Sequence, residues 1–174
     1  GEKIERLANP PQPVIAAVHG HCYTGALELA LAGDLIFAAE SAKFADTHAK
    51  WGLTPVWGMS QRLPRRVGWT KARELMFTCR TYSGAEAAGM GLASACVPDA
   101  AFDAELQTLA DGILANSWFS HRANKHLLND TDGMPLGAGL AHESGRSAGR
   151  GPDRESRIAA FTAKAGRSAA DGRK

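Results

Sequence analysis

The stretch VIAAVHGHCYTGALELALAGD, residues 14–34, constrains this chain more than any other. Its apolar run from Val14 to Val18 is short and unbroken, the pattern of a strand buried on both faces. His19-Gly20-His21 turns the chain, and Thr24-Gly25 opens a helix. Glu28 follows Gly25 by three residues, and residues so spaced share one helical face. A glycine N–H at a helix start and a carboxylate beside it can therefore face the same cavity. The first N–H groups of a helix lack intrahelical acceptors and sit at the positive end of its dipole. That combination suits a developing oxyanion, with Glu28 moving protons next to it.

Composition sets the frame around this stretch. A chain of 174 residues predicts one domain with a helical extension, and an apolar fraction of 44% is enough for a real core. The formal net charge of +2 makes no case for a nucleic-acid partner, and none is expected. Cys22, Cys79 and Cys96 are odd in number and lack metal-ligand spacing, so neither a disulfide framework nor a metal site is predicted. A reducing, cytoplasmic location follows from that reading. His19 and His21 flank Gly20 without an acidic or cysteine partner at metal spacing. The segment GEKIERLANPPQP is charged and has no apolar core of a signal peptide. No apolar run approaches the roughly 20 residues of a membrane span.

In order, Gly1 to Pro13 begins with a possible helix end, and Pro10, Pro11 and Pro13 enforce extended backbone. Asp34 to Ala39 predicts a second buried strand and Ala42 to Ala45 a short third one. Asp46 or Thr47 is expected to cap a helical turn. Gly52, Pro55 and Gly58 punctuate a loop, and helical patterns cover Met59 to Val67 and Thr70 to Thr78. Ser83 and Glu86 have the spacing of a capping box, for a helix ending near Gly89 or Gly91. Leu92 to Val97 predicts a last strand, and Pro98-Asp99 marks a boundary. The segments assigned are 1–100 as an α/β core and 101–174 as a helical segment. The latter's helices are placed at Phe102 to Asn116, Ser117 to Leu128, Leu136 to Arg146 and Arg154 to Ala165, with a break at Gly145 to Pro152.

The run PVIAAVHGHCYTGALELALAGDLIFAAESAKFADTHAKWGLTP, followed by GMSQRLPRRVG and GAEAAGMGL, resembles the crotonase superfamily of enoyl-CoA hydratases and isomerases. The resemblance spans about Pro13 to Pro98 and weakens toward Lys164. It implies an α/β fold, a crotonase-like spiral of ββα units followed by a C-terminal helical segment. It also implies an N-terminal portion preceding what is seen here, and helices packed between subunits of a homotrimer or a dimer of trimers. The implied partner is an acyl-CoA thioester. Coenzyme A enters as part of the substrate, and no metal or redox cofactor is implied.

Residue by residue, Glu28 matches one of two catalytic glutamates of hydratases. Taken alone, it also reads as a carboxylate stabilised by a helix dipole. Gly25 matches the glycine whose N–H donates to the thioester oxygen, and also suits a tight loop-to-helix turn. The family's second donor falls in the preceding portion. Losing one such donor typically costs about 2.7–4 kcal/mol of barrier. His48 stands where the second glutamate is expected. Histidine ordinarily titrates near pH 6.5, so it can transfer protons at neutral pH, although a histidine without a catalytic role is an equal reading.

Thr24 and Ala26 flank Gly25 where many relatives carry glycine, which narrows the loop. Thr24 and Thr47 are expected beside the substrate. Trp51 and Trp57 fall near the expected acyl pocket or serve in packing. Val56 replaces a glycine often found after Pro55. Lys164, in AAFTAKAGR, matches a final-helix lysine that can approach coenzyme A, though taken alone it reads first as a solvated lysine on a helix face. Arg62, Arg65 and Arg66 read as a structural cluster. Cys22 lacks a paired base and is not assigned as a nucleophile.

Three functions compete at this point. The first is hydration of a 2-enoyl-CoA. The second is double-bond isomerisation or another crotonase reaction, in which one carboxylate shuttles a proton without a catalytic water. The third is a non-catalytic acyl-CoA-binding or assembly module.

Overall fold

The computed structural model describes the backbone of residues 2–171 and the side chains of residues 2–163. Two compact units divide it, the first running to Ile113 and the second starting at Leu114.

In the first unit, α1 (Glu2–Ala8) leads through the prolines to β1 (Ile15–Val18), β2 (His21–Tyr23) and α2 (Gly25–Ala32). Next come β3 (Leu35–Ala39), β4 (Lys43–Ala45), a 3-10 turn at Ala49–Trp51 and α3 (Met59–Thr78). The unit closes with β5 (Tyr82–Ser83), α4 (Gly84–Gly89), β6 (Ala95–Val97), a 3-10 turn at Asp99–Ala101 and all but the last residue of α5 (Phe102–Leu114). One sheet is parallel in the order β1-β3-β6, with Ile15 opposite Leu35 and Phe37 opposite Ala95. The other has the order β2-β4-β5, parallel between β2 and β4 and antiparallel between β4 and β5. Each of the first two turns therefore gives one strand to each sheet and then a helix, β1-β2-α2 and β3-β4-α3. This is the expected ββα spiral.

Central β3 shows why the strands are apolar runs. Ile36, Phe37, Ala38 and Ala39 are all buried, since β3 lies between two strands and is covered on both faces, whereas β1, expected to be buried, is half-buried with Ala17 exposed. Leu27, Leu31, Ile36, Phe44, Met59, Leu63 and Leu75 join strands and helices in one cluster. Phe37 and Phe102 anchor a second, with ring centroids 5.5 Å apart. The turn between α2 and β3 is locked by charge. Asp34 accepts from the Val14 N–H at 2.6 Å, and Arg66 donates to the Gly33 and Asp34 carbonyls. Arg62 donates to the Trp57 carbonyl and to Glu5, so two of the three arginines in QRLPRRVG tie distant segments together.

Several expectations need correction. Neither Asp46 nor Thr47 caps the turn at Ala49–Trp51, whose first residue follows His48 with no side-chain cap. The strand expected from Leu92 starts at Ala95, because the Leu92 and Ala93 N–H groups turn back to the Ala87 carbonyl. The short strands β2 and β5 lack the apolar alternation that would have announced them. By contrast, the Ser83–Glu86 capping box forms with both of its hydrogen bonds. The two helical patterns of α3 meet at Gly68, whose φ of 77° breaks the helix.

The second unit holds α6 (Trp118–Thr131), α7 (Leu136–Arg146) and α8 (Arg154–Asp171). Ser117 caps α6 and donates to Asp153, which pairs with Arg157 at the start of α8. Trp118, Leu128, Leu136, Leu140 and Phe161 leave large apolar surfaces exposed. Lys164 lies outside the residues whose side chains are described. No described helix is long and apolar enough to cross a membrane.

Candidate functional site

Three chain segments meet around Glu28: the start of α2, the end of β4 and the start of α3. Glu28 is 2% exposed, so its charge must be satisfied locally. One oxygen, Oε1, accepts from the Trp57 N–H at 2.9 Å and the Met59 N–H at 3.1 Å. These two donors flank Gly58, which has a φ of 110° and sits at the N-cap of α3. That left-handed backbone points both neighbouring N–H groups at a single oxygen, forming an anion-binding nest at a helix start.

The other oxygen, Oε2, faces His48 Nε2 at 3.7 Å. His48 is 7% exposed, and its Nδ1 lies 2.5 Å from Asp46 Oδ1. The His48 backbone N–H donates to the same Asp46 oxygen at 3.1 Å. Asp46 is 1% exposed. Asp46, His48 and Glu28 thus form a line, with the imidazole between two carboxylates. The 3.7 Å gap is too long for a direct hydrogen bond. It is the right base for a triangle whose apex is a water about 2.8 Å from each atom.

Thr24 precedes Gly25 with a φ of 50° and a ψ of −108°, an uncommon conformation for a residue with a side chain. Hydrogen bonds at the end of β4 maintain it. The Thr24 N–H donates to the Ala45 carbonyl at 2.9 Å, and the two hydroxyls of Thr24 and Thr47 bond each other. The Thr47 N–H also donates to the Thr24 hydroxyl at 3.3 Å. The Thr24 side chain therefore does not cap α2, and the amide end of that helix stays open at Gly25. The Trp57 indole lies against Gly25, so that a Cβ placed there would come within 3.1 Å of its ring.

The structure thus brings Gly25, Glu28, His48, Thr24 and Thr47 together. Trp51 and Val56 stand on the surface of the intervening loop, 65% and 74% exposed. A groove of about 450 Å³ runs along β1 and β2 and is lined by Ala26, Leu29, Ala30 and Gly33 of α2. Glu28 lies on the other face of that helix. Sequence reasoning missed Asp46 as the partner of His48 and Gly58 as the anchor of Glu28. The signals were present: a carboxylate two residues before a histidine, and a glycine just before a helix start.

Cys22 is buried beside the α2 start, and burial pushes its thiol up to about 12 from the ordinary 9.0. The unfolded chain ionises this thiol near 9.0, whereas the folded chain holds it neutral until about 12. Its contribution to stability is therefore full below pH 9.0 and is lost as pH rises toward 12. Below pH 9.0, alkylation of Cys22 followed by mass spectrometry is expected to track unfolding. A Cys22 as reactive in the folded as in the denatured protein contradicts this.

The ββα spiral, with a carboxylate and a glycine at the start of α2, defines a crotonase-type protein. A family model described as enoyl-CoA hydratase/isomerase matches residues 2–150, and the chain belongs to that family. It is 34% identical over 145 residues to a probable peroxisomal enoyl-CoA hydratase 1 of Arabidopsis thaliana, covering 83% of this chain and 54% of the relative. The crystal structure of an enoyl-CoA hydratase from Bacillus anthracis superimposes with a TM-score of 0.89 at 34% identity. That match covers 94% of this chain and 64% of the other. A putative enoyl-CoA hydratase from Thermobifida fusca, solved in complex with acetoacetyl-CoA, matches with a TM-score of 0.78 at 31% identity, over 91% of this chain and 59% of that one. The chain spans about half the length of the curated relatives it matches.

Proposed function

We propose that this chain carries the water-handling site of an enoyl-CoA hydratase, a lyase adding water across the double bond of a 2-enoyl-CoA thioester. The observation that carries the reading is the opposed pair of Glu28 Oε2 and His48 Nε2, 3.7 Å apart, with the other Glu28 oxygen pinned by two backbone N–H groups. Family membership and an acetoacetyl-CoA complex among the structural relatives support the substrate class.

In this mechanism the thioester carbonyl accepts from the Gly25 N–H at the open end of α2. Water held between Glu28 and His48 attacks the carbon beta to the carbonyl. One water proton passes to the pair, and a proton from the pair reaches the alpha carbon. Negative charge that builds on the thioester oxygen meets the Gly25 N–H and the helix dipole. The reaction is redox-neutral acid–base chemistry and calls on no metal or redox cofactor, coenzyme A being part of the substrate. Thr24 and Thr47 hold the Gly25 backbone in place, and Trp57 covers it. In this reading Trp51 and Val56, exposed on the loop that leads to Trp57, meet the acyl group.

A second reading is favoured by the imidazole where a second carboxylate is expected. Glu28 and His48 would then relay a proton between two carbons, isomerising a 3-enoyl-CoA. Both are tested by following the conjugated enoyl-thioester absorbance. Hydration of crotonyl-CoA removes it, and isomerisation of a 3-enoyl-CoA creates it. Loss with crotonyl-CoA is the expected result. A folded chain that binds coenzyme A thioesters and changes neither absorbance is a binding module.

We further propose that copies of this chain associate, as a trimer or a dimer of trimers. The support is the exposed Trp118, Leu128, Leu136, Leu140 and Phe161. Sedimentation equilibrium showing a monomer would refute it. Free thiols at Cys22, Cys79 and Cys96 support a reducing, cytoplasmic setting.

A further inference from the structure

We propose that Asp46 is a positioning residue that holds His48 with its Nδ1 protonated, so that Nε2 alone exchanges protons with the water at Glu28. This rests on the hydratase reading of the Glu28–His48 pair and adds a third member to it.

The geometry leaves the ring little choice. An ionised carboxylate only accepts hydrogen bonds. Asp46 Oδ1 lies at 2.5 Å and also accepts the His48 backbone N–H, so in the proposed arrangement Asp46 is the acceptor and His48 Nδ1 the donor. The bond made by one ring nitrogen sets the role of the other. Nε2 is then left facing Glu28 Oε2 at 3.7 Å. It accepts a proton when the ring is neutral and donates one when the ring is charged, while Nδ1 keeps its proton throughout.

Asp46 is itself held firmly. It follows β4 directly, and its Oδ1 also takes the His48 backbone N–H at 3.1 Å. Ring and main chain of one residue thus clasp one oxygen, which fixes both the position and the tilt of the imidazole. The family pattern of two glutamates is rebuilt here rather than lost. The second carboxylate is present at Asp46, and it reaches the water through the imidazole.

A purely structural Asp46 predicts something different. Removing one partner of a buried hydrogen-bonded pair is destabilising, so a structural role alone shows as a lower melting temperature with the tautomer of His48 unchanged. A positioning role shows in the tautomer and in kcat. Asp46→Leu removes the acceptor, whereas Asp46→Asn keeps an oxygen that can accept from Nδ1.

The direct test is proton–nitrogen correlation spectroscopy of the full chain labelled with nitrogen-15 histidine. His48 is assigned by loss of its signals in His48→Gln, and the tautomer is read on the neutral ring. The expected wild-type state is Nδ1 protonated and Nε2 bare. In Asp46→Leu the proton is expected to move to Nε2, with kcat falling by at least about 10- to 100-fold, the loss seen when a metal-bound histidine loses its orienting partner, and KM little changed. Asp46→Asn should retain the tautomer and recover most of kcat. A wild-type His48 protonated at Nε2 when neutral overturns the proposal, whether or not Asp46→Leu folds. So does an unchanged tautomer in a folded Asp46→Leu. The Nδ1-protonated form in a chain without turnover supports the role of Asp46 and counts against the hydratase reading, so the two fail separately.

Discussion

Glu28→Gln is expected to lower hydration of a 2-enoyl-CoA by about 10²- to 10⁴-fold, the usual worth of a positioned acid–base group, with the fold intact. Glutamine keeps one carbonyl oxygen, which can still accept from the Trp57 and Met59 N–H groups. That places its amide nitrogen where Oε2 faced His48. An NH₂ group donates but cannot take a proton from water. Initial rates measured by enoyl absorbance, beside a melting curve, check both halves of the claim. An unchanged rate removes Glu28 from the chemistry.

Gly58→Ala is expected to damage both stability and turnover. Gly58 has a φ of 110°, a region that side chains rarely enter, and a Cβ there would collide with the Arg62 guanidinium. Forcing such backbone costs on the order of 1–3 kcal/mol. Relaxing it rotates the flanking N–H groups away from Glu28. One substitution outside the proton path should therefore lower the melting temperature and lower kcat as the carboxylate loses its anchor. Retained kcat with a reduced melting temperature would show that Glu28 is held in place by other contacts.

Much of this was legible before the fold was seen, and the reasons are local. The apolar runs at Val14–Val18 and Leu35–Ala39 mark strands, but only β3 is buried on both faces; β1 is half-buried, with Ala17 exposed, which the apolar run alone did not show. The helix start at Gly25, the Ser83–Glu86 box and the interruption between the two halves of α3 are written in short-range chemistry. Strands β2 and β5 were not legible, since two or three residues carry no period and form through their partner β4. The same limit hid the site's supports. Asp46 looked like a cap because aspartate before a helical turn commonly is one. Its carboxylate instead takes the ring and backbone N–H of His48. Gly58 looked like loop punctuation, and its role depends on Glu28, thirty residues away in sequence, arriving under it. Trp51 and Val56 show a further limit: apolar character is visible in a sequence, but its exposure is not.

The central claim is that Glu28 and His48 handle one water as a unit. It is tested most directly by crotonyl-CoA hydration rates of Glu28→Gln, His48→Gln and the double variant. Groups acting as a unit are strongly non-additive. The double variant is expected to be no slower than the poorer single one. Losses that multiply would mean that the two residues act independently and share no water.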